Sequence, residues 1–286
     1  MLVSVVRKLL PHLPEAPAFW LTRQVASLVR SPPLRAADFD LVREMEPRWY
    51  GPRRNRWALL HGHGPLVLLV HGWAGRGTQM LPIARRLVCQ GFRVLIPDIT
   101  AHGQSAGLQV GFRDFVNDIA DCCDALGQQP FAMVGHSAGA LAMAAARRLR
   151  KVQAQRYVLL CAPRGPYIPV EEIRRRLDPK EEVLARCRNH FAAQLQGDWD
   201  GLDAGGAYRT DDGTPALLIY DRDDPRLHPQ DPVRVERQWA GARLVMTSGL
   251  GHSKPLRDPE VIQRIVDFLQ AMDLASPVQR TGPHVA

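Results

Sequence analysis

The 286-residue chain is poor in cysteine and has none in metal-binding order. Its five cysteines, Cys89, Cys122, Cys123, Cys161 and Cys187, are odd in number and include no C-x-x-C pair. Neither a disulfide framework nor a metal site is expected, and a reducing, cytoplasmic location fits this usage best. Also missing is any apolar run near the ~20 residues that a membrane-spanning helix needs. The opening stretch of ten residues carries its charges (Arg7, Lys8) after its apolar residues, and no small-residue cleavage site follows. It is therefore not expected to be a secretory signal. Zinc-finger spacing and aromatic–basic ribonucleoprotein motifs are absent, so no nucleic acid partner is expected.

What remains is an ordinary globular composition, 45% apolar and 23% charged, on a chain long enough for one large α/β core. The net charge of +8 is uneven, because residues 1–56 hold ten Lys/Arg against five acids. Such a segment could meet anionic lipid or an acidic substrate, but a solvated face with ion pairs to the body is the simpler reading. Within it, Leu2, Val5, Val6, Leu9, Leu10 and Leu13 share one helical face, and Pro11 and Pro14 end that helix. A second apolar set, Leu21, Val25, Leu28 and Val29, stops at Ser31-Pro32-Pro33. Two short amphipathic helices either pack on the main domain, the default, or make peripheral membrane contact through residues 1–30. Arg48 to Arg56 reads as a basic connector.

From Trp57 the chain alternates between strand-like and helix-like segments. The strands are Trp57–His61, Leu66–Val70, Phe92–Ile96, Phe131–Val134, Tyr157–Cys161, Ala216–Tyr220 and Arg243–Met246. The helices run from about Gln79 to Gln90, Phe112 to Gly127, Ala140 to Arg150 and Asp258 to Met272. This rhythm predicts an α/β fold, a doubly wound, mostly parallel sheet with ligands at the carboxyl ends of its strands. Residues 164–212 exceed an ordinary crossover and look helical at Glu171–Leu177 and from Lys180 to about Gln196, as a helical lid insertion would. The expected organisation is a basic N-terminal helical extension (1–56), a core (57–163 and 213–272), a lid (164–212) and a C-terminal tail (273–286).

The chemistry centres on Gly135-His136-Ser137-Ala138-Gly139, which follows a buried strand and precedes an Ala-rich helix. A strand–turn–helix this sharp presents the serine hydroxyl to a cleft, and side chains at the two glycine positions would collide with the turn. The N–H groups of the helix start point at any negative charge formed there. A serine nucleophile needs a base, and the base an orienting carboxylate, here in the chain order Ser, acid, His. Asp221, Asp223 and Asp224 end one late strand, and Gly249-Leu250-Gly251-His252 follows the last. All three acids are candidates on spacing alone.

Together with His71-Gly72-Trp73 and Asp98-x-x-x-His102-Gly103-x-Ser105, these pieces make residues 57–272 resemble the α/β-hydrolase family. The likeness is nearest to its serine-nucleophile bacterial members: esterases, monoacylglycerol-lipase-like enzymes and serine-aminopeptidase-like proteins. The resemblance implies a catalytic set of Ser137, Asp224 and His252, with Asp224 matching the family acid three residues after the position that Asp221 fills in place of glycine. It implies an oxyanion hole from the N–H groups of Trp73 and Ala138, no metal or organic cofactor, and a small-molecule acyl substrate. His71, His102 and His136 are expected to be structural, and Asp98 to fix a loop. A serine at the elbow excludes the aspartate-nucleophile chemistry of epoxide hydrolases and dehalogenases. The expected activity is cleavage of a carboxylic ester or thioester through an acyl-enzyme; amide or peptide cleavage, or a non-catalytic binding role on the same scaffold, are the alternatives.

Overall fold

In the computed structural model, residues 2–29, 31–195 and 197–271 are described. Apolar runs with no polar interruption make strands that must be buried on both faces. Four of them, β3 (Leu66–Val70), β5 (Ala132–His136), β6 (Arg156–Leu160) and β7 (Ala216–Asp221), are buried throughout and form the centre of one eight-stranded sheet. Around them lie β1 (Glu46–Tyr50), β2 (Arg56–His61), β4 (Arg93–Pro97) and β8 (Ala242–Thr247), in the order β1-β2-β4-β3-β5-β6-β7-β8. Strands β3 to β8 pair in parallel, while β1 and β2 run antiparallel at one edge.

Helices α1 (Leu2–Leu9), α2 (Glu15–Ser27) and α3 (Phe39–Glu44) precede the sheet. Helices α4 (Leu81–Cys89), α5 (Phe112–Leu126) and α6 (Ala138–Arg150) follow β3, β4 and β5. The insertion between β6 and β7 holds α7 (Ile168–Leu177), α8 (Glu181–Gln194) and α9 (Trp199–Asp203). Last come α10 (Asp231–Gln238) and α11 (Pro259–Gln270). Two apolar layers sandwich the sheet. One joins Phe115, Ile119, Leu141 and Trp239 to one face; the other joins Ile83, Leu87, Ile265 and Leu269 to the opposite face. Helix α11 is capped at its start by Asp258, whose carboxylate accepts the N–H groups of Glu260 and Val261 at 3.1 and 3.0 Å.

The structure departs from the sequence reading in three places. Residues 46–50, assigned to the N-terminal extension and its connector, form the edge strand β1, paired with β2 so that Trp49 faces Trp57 at 4.9 Å between ring centroids. A strand with a proline and four exposed residues carries no apolar signature, and an edge is where such a strand is tolerated. Helix α6 starts at Ala138 rather than Ala140, because the turn leaves no spacer residue after Ser137. Helices α9, of five residues, and α10, of eight and polar overall, are short elements that the sequence reading did not include. The tail expected at 273–286, and the last residue of the expected C-terminal helix, Met272, lie outside the described residues.

The N-terminal helices do not stand apart. Val6, Leu10 and Ala18 form one buried cluster with Ile173, Leu177, Val183, Leu184 and Cys187 of α7 and α8. Further along, Ser31 Oγ accepts the Gly103 N–H at 3.0 Å, and the Pro32 carbonyl accepts from Arg76 at 3.2 Å. The segment is thus tied to the insertion on one side and to the loops after β3 and β4 on the other. Among the described residues, no helix is long and apolar enough to cross a membrane.

Strand β1 supplies Tyr50, which is 2% exposed and whose hydroxyl donates to the Asp98 carbonyl at 2.8 Å. A chain beginning at Arg53 loses that side chain and the partner of β2. It should lose at least about 3–5 kcal/mol of stability, the usual cost of deleting one buried aromatic, in urea unfolding at neutral pH. An unfolding curve equal to that of the full chain would show that β1 is an ornament on the sheet.

Candidate active site

The elbow is built by close approach. At Gly135 a Cβ would stand 2.7 Å from Ala140 Cα, and at Gly139 it would collide with the carbonyls of His71 and Val70. With both side chains absent, α6 can turn back directly over β5, and the residue between is forced to φ 53° and ψ −122°. That residue is Ser137, a non-glycine in a region L-residues rarely adopt, which is held there by its surroundings. Its N–H donates to the Leu160 carbonyl on β6 at 2.8 Å.

Its hydroxyl lies 3.0 Å from His252 Nε2, and His252 Nδ1 lies 2.7 Å from Asp224 Oδ2. The histidine and aspartate side chains are 8% and 3% exposed, so water competes little for these bonds. Of the three candidate acids, Asp224 is the one brought to His252. The other two hold the histidine loop. Asp221 accepts from Thr247 Oγ1 at 2.7 Å, Gly251 N at 2.9 Å, Asp223 N at 3.0 Å and Leu250 N at 3.1 Å. Burial alone would raise its pKa, but these hydrogen bonds win and hold the carboxyl below the ordinary value. Asp223 also accepts the Gly249 N–H at 2.7 Å. An aspartate in place of the strand-closing glycine is thus explained: it anchors the backbone on which His252 stands.

Three other histidines fasten the loops around the elbow. His71 donates from Nδ1 to the Gly72 carbonyl at 2.8 Å and accepts the Ile99 N–H at Nε2, 3.1 Å. His102 donates from Nδ1 to the Thr100 carbonyl at 2.9 Å and accepts the Ala74 N–H at 3.1 Å. His136 Nε2 donates to the His252 carbonyl at 2.8 Å. Each ring therefore bonds backbone, and each is neutral. Burial is the main cause, lowering His71 to about 4, and His102 and His136 to about 3. Asp98 accepts from Gly77 N at 2.6 Å and Gln104 N at 2.8 Å, joining the loops after β3 and β4.

Those bonds set the position of Trp73. Gly72 lies against the elbow, since a Cβ there would be 3.1 Å from Ser137 Cβ. The Trp73 ring stacks on Phe115 at 5.8 Å and 11°. Trp73 and Ala138 line the same cavity as Ser137. His136, Cys161 and His252 place one ligand atom each within 4.8 Å of one another, the sole metal-like grouping among the described residues. Both nitrogens of His252 are already engaged by Ser137 and Asp224, so this grouping could take a metal only by breaking that line.

A cavity of about 350 Å³ opens over Ser137 and His252. Its apolar wall includes Val25, Phe112, Leu141, Ile168 and Ile173. Val3 and Val25 come from the N-terminal helices, a contribution that sequence reasoning missed because nothing in an amphipathic period says which cavity its face will close.

The family model described as "alpha/beta hydrolase fold" matches residues 65–207, half of the chain. Among curated proteins, the chain is 34% identical over 79 residues to the "Magnesium-chelatase 30 kDa subunit" of Rhodobacter capsulatus, covering 27% of this chain and 28% of that protein. It is 31% identical over 99 residues to the "2-succinyl-6-hydroxy-2,4-cyclohexadiene-1-carboxylate synthase" of Yersinia pestis (strain Pestoides F), covering 34% of this chain and 33% of that one. The chain thus spans about a third or less of the length of these relatives. Among solved structures, the thioesterase domain from the curacin biosynthetic pathway superposes with a TM-score of 0.58 at 19% identity, over 79% of this chain and 98% of that one.

Two expectations follow from the hydrogen-bonded loops. Asp221→Asn replaces an acceptor oxygen by a donor and leaves N–H groups of the His252 loop unpaired. It should cost about 1–3 kcal/mol in urea unfolding, and a neutral effect would deny Asp221 its anchoring role. The second concerns acid. With folded pKa values below the ordinary histidine value, His71, His102 and His136 stay neutral while the unfolded chain takes up protons. Their contribution is complete above about pH 6.5 and is lost as pH falls toward about 4 for His71 and about 3 for His102 and His136. Each should remove on the order of 2 kcal/mol between pH 7 and 5. Asp118, pushed up to about 6 by burial, is relieved by protonation over the same range and offsets part of the loss. A net fall of a few kcal/mol in unfolding free energy is expected, and constant stability from pH 7 to 5 would contradict it.

Proposed function

Since the chain belongs to the alpha/beta hydrolase fold family, we propose that it is a serine hydrolase that cleaves a carboxylic ester or thioester through an acyl-enzyme. The observation that carries this reading is the continuous line Ser137 Oγ–His252–Asp224, with contacts of 3.0 and 2.7 Å. In it, Ser137 Oγ attacks the substrate carbonyl carbon while His252 Nε2 takes the hydroxyl proton. Asp224, which also accepts the Arg226 N–H at 2.9 Å, receives the Nδ1 proton of His252 in a hydrogen bond and stabilises the imidazolium. The negative oxygen of the tetrahedral intermediate is met by the N–H groups of Trp73 and Ala138, with the start of α6 behind them. Collapse expels the alcohol or thiol, which leaves with the proton from His252. Water then attacks the acyl-enzyme, again with His252 as base, and releases the acid.

The apolar cavity wall suits an acyl chain of modest length, and the insertion at 164–212 serves as its lid. Cleavage of an amide needs the same groups, but no feature of the cavity favours it. A purely ligand-binding role has no need of a strained serine aligned with a buried His–Asp pair.

Ser137→Ala should abolish labelling by a fluorophosphonate probe and lower turnover of a 4-nitrophenyl ester by about 10⁴–10⁶, with an unchanged circular dichroism spectrum. Asp224→Asn should cost at least ~10² in turnover, because the amide permits the wrong imidazole tautomer. Labelling that survives in Ser137→Ala would place the nucleophile elsewhere.

A further inference from the structure

The cavity over Ser137 has an unbalanced rim. Apart from His252, its charged lining residues are Glu172, Arg175, Arg176 and Arg226, three cations against one anion. Glu172 is taken by Arg175 at 2.7 Å. That leaves Arg176, on α7, and Arg226, two residues past Asp224, with no hydrogen-bond or ion-pair partner for their guanidinium groups among the described residues. Asp224 is turned to other partners, its two oxygens accepting from His252 and from the Arg226 backbone N–H. Asp221 and Asp223 are likewise committed to the loop at 249–251.

Two guanidinium groups from segments 50 residues apart in sequence are brought to one cavity by the fold. The field of the α6 N-terminus adds to theirs, since its first turn holds no acidic residue. Both side chains are exposed at the rim, and among the described residues no acidic group pairs with them there. A bound anion would. Guanidinium is the side chain whose planar fork matches a carboxylate or a phosphate with paired hydrogen bonds. Apolar wall, nucleophile and unpaired guanidinium groups in one 350 Å³ space therefore describe a ligand with an apolar acyl part and an anionic part a short distance from the scissile bond.

We propose that the site selects acyl substrates carrying a carboxylate or phosphate, held by Arg176 and Arg226. This rests on the serine hydrolase reading for its chemistry and adds the substrate class. The two sources of negative charge differ in position, on the far end of the acyl chain for a dicarboxylic monoester and on the leaving group for a phosphorylated thiol.

Two matched pairs of substrates test it. 4-Nitrophenyl hydrogen adipate against 4-nitrophenyl hexanoate differs by a carboxylate on the acyl chain. S-Hexanoyl phosphopantetheine against S-hexanoyl pantetheine differs by a phosphate on the leaving group. The wild-type protein should show higher kcat/KM for the charged member of at least one pair, with the preference shrinking as salt is added. In Arg176→Gln/Arg226→Gln the charged-to-neutral ratio should fall at least tenfold, and Arg176→Lys/Arg226→Lys should recover part of it. Which pair responds tells carboxylate from phosphate. A wild type that prefers the neutral member of both pairs, or a preference that survives in the glutamine double variant, overturns the proposal. The hydrolase reading fails separately, if Ser137→Ala still turns over the neutral esters or the wild type turns over none. In that event calorimetric titration of adipate and of inorganic phosphate decides the anion site. Binding to the wild type that is weakened tenfold or more in the glutamine double variant supports it, and equal or absent binding overturns it.

Discussion

The sharp reversal at Ser137 is the constraint to which the rest of the site is fitted. It exists because α6 packs directly on β5 with no side chain at Gly135 or Gly139 to hold them apart. One consequence is steric: a methyl group at either glycine would push the helix off the sheet. Another is electrostatic, since the same closeness puts the first N–H groups of α6 beside the hydroxyl. A third is that the surrounding loops must reach the serine from both sides, and the backbone of Gly72 does so at van der Waals distance.

Those loops are held by polar side chains used as fasteners for backbone. His71, His102 and Asp98 tie the loops after β3 and β4 to each other; Asp221 and Asp223 hold the loop that carries His252; His136 reaches from the elbow to the His252 carbonyl. The division of labour among similar residue types is set by environment. Four histidines stand near the elbow, and three make only backbone bonds. Three aspartates close β7 and its turn, and one reaches an imidazole.

How much of this was legible in the sequence depends on how local the cause is. The elbow could be read because its strand, turn and helix lie in one continuous stretch, and the Ser–acid–His order because each member follows a strand end. The choice among Asp221, Asp223 and Asp224 could not be made from spacing; it rests on which carboxylate meets a ring brought from 28 residues away. Strand β1 escaped because an edge strand needs no apolar alternation. The packing of α1 and α2 on α7 and α8 escaped for a different reason. Amphipathic helices announce that a face will be covered, while the covering partner is fixed by tertiary contact over more than 150 residues of chain. Arg176 and Arg226 carry no motif at all, and their meaning comes only from the space they share.

The shared cluster of Val6, Leu10 and Ala18 with Ile173, Leu177 and Val183 has a bearing on how such proteins diversify. One wall of the cavity is assembled from two stretches of chain, one that precedes the core and one that interrupts it. Neither is a self-sufficient module. A graft of the 164–212 insertion onto another scaffold would carry its apolar underside without the helices that cover it, and the recipient would inherit a sticky surface and an open pocket. Recombination between relatives can therefore exchange pocket shape here only by moving both stretches together, so the head of the chain and its middle are bound to change in concert.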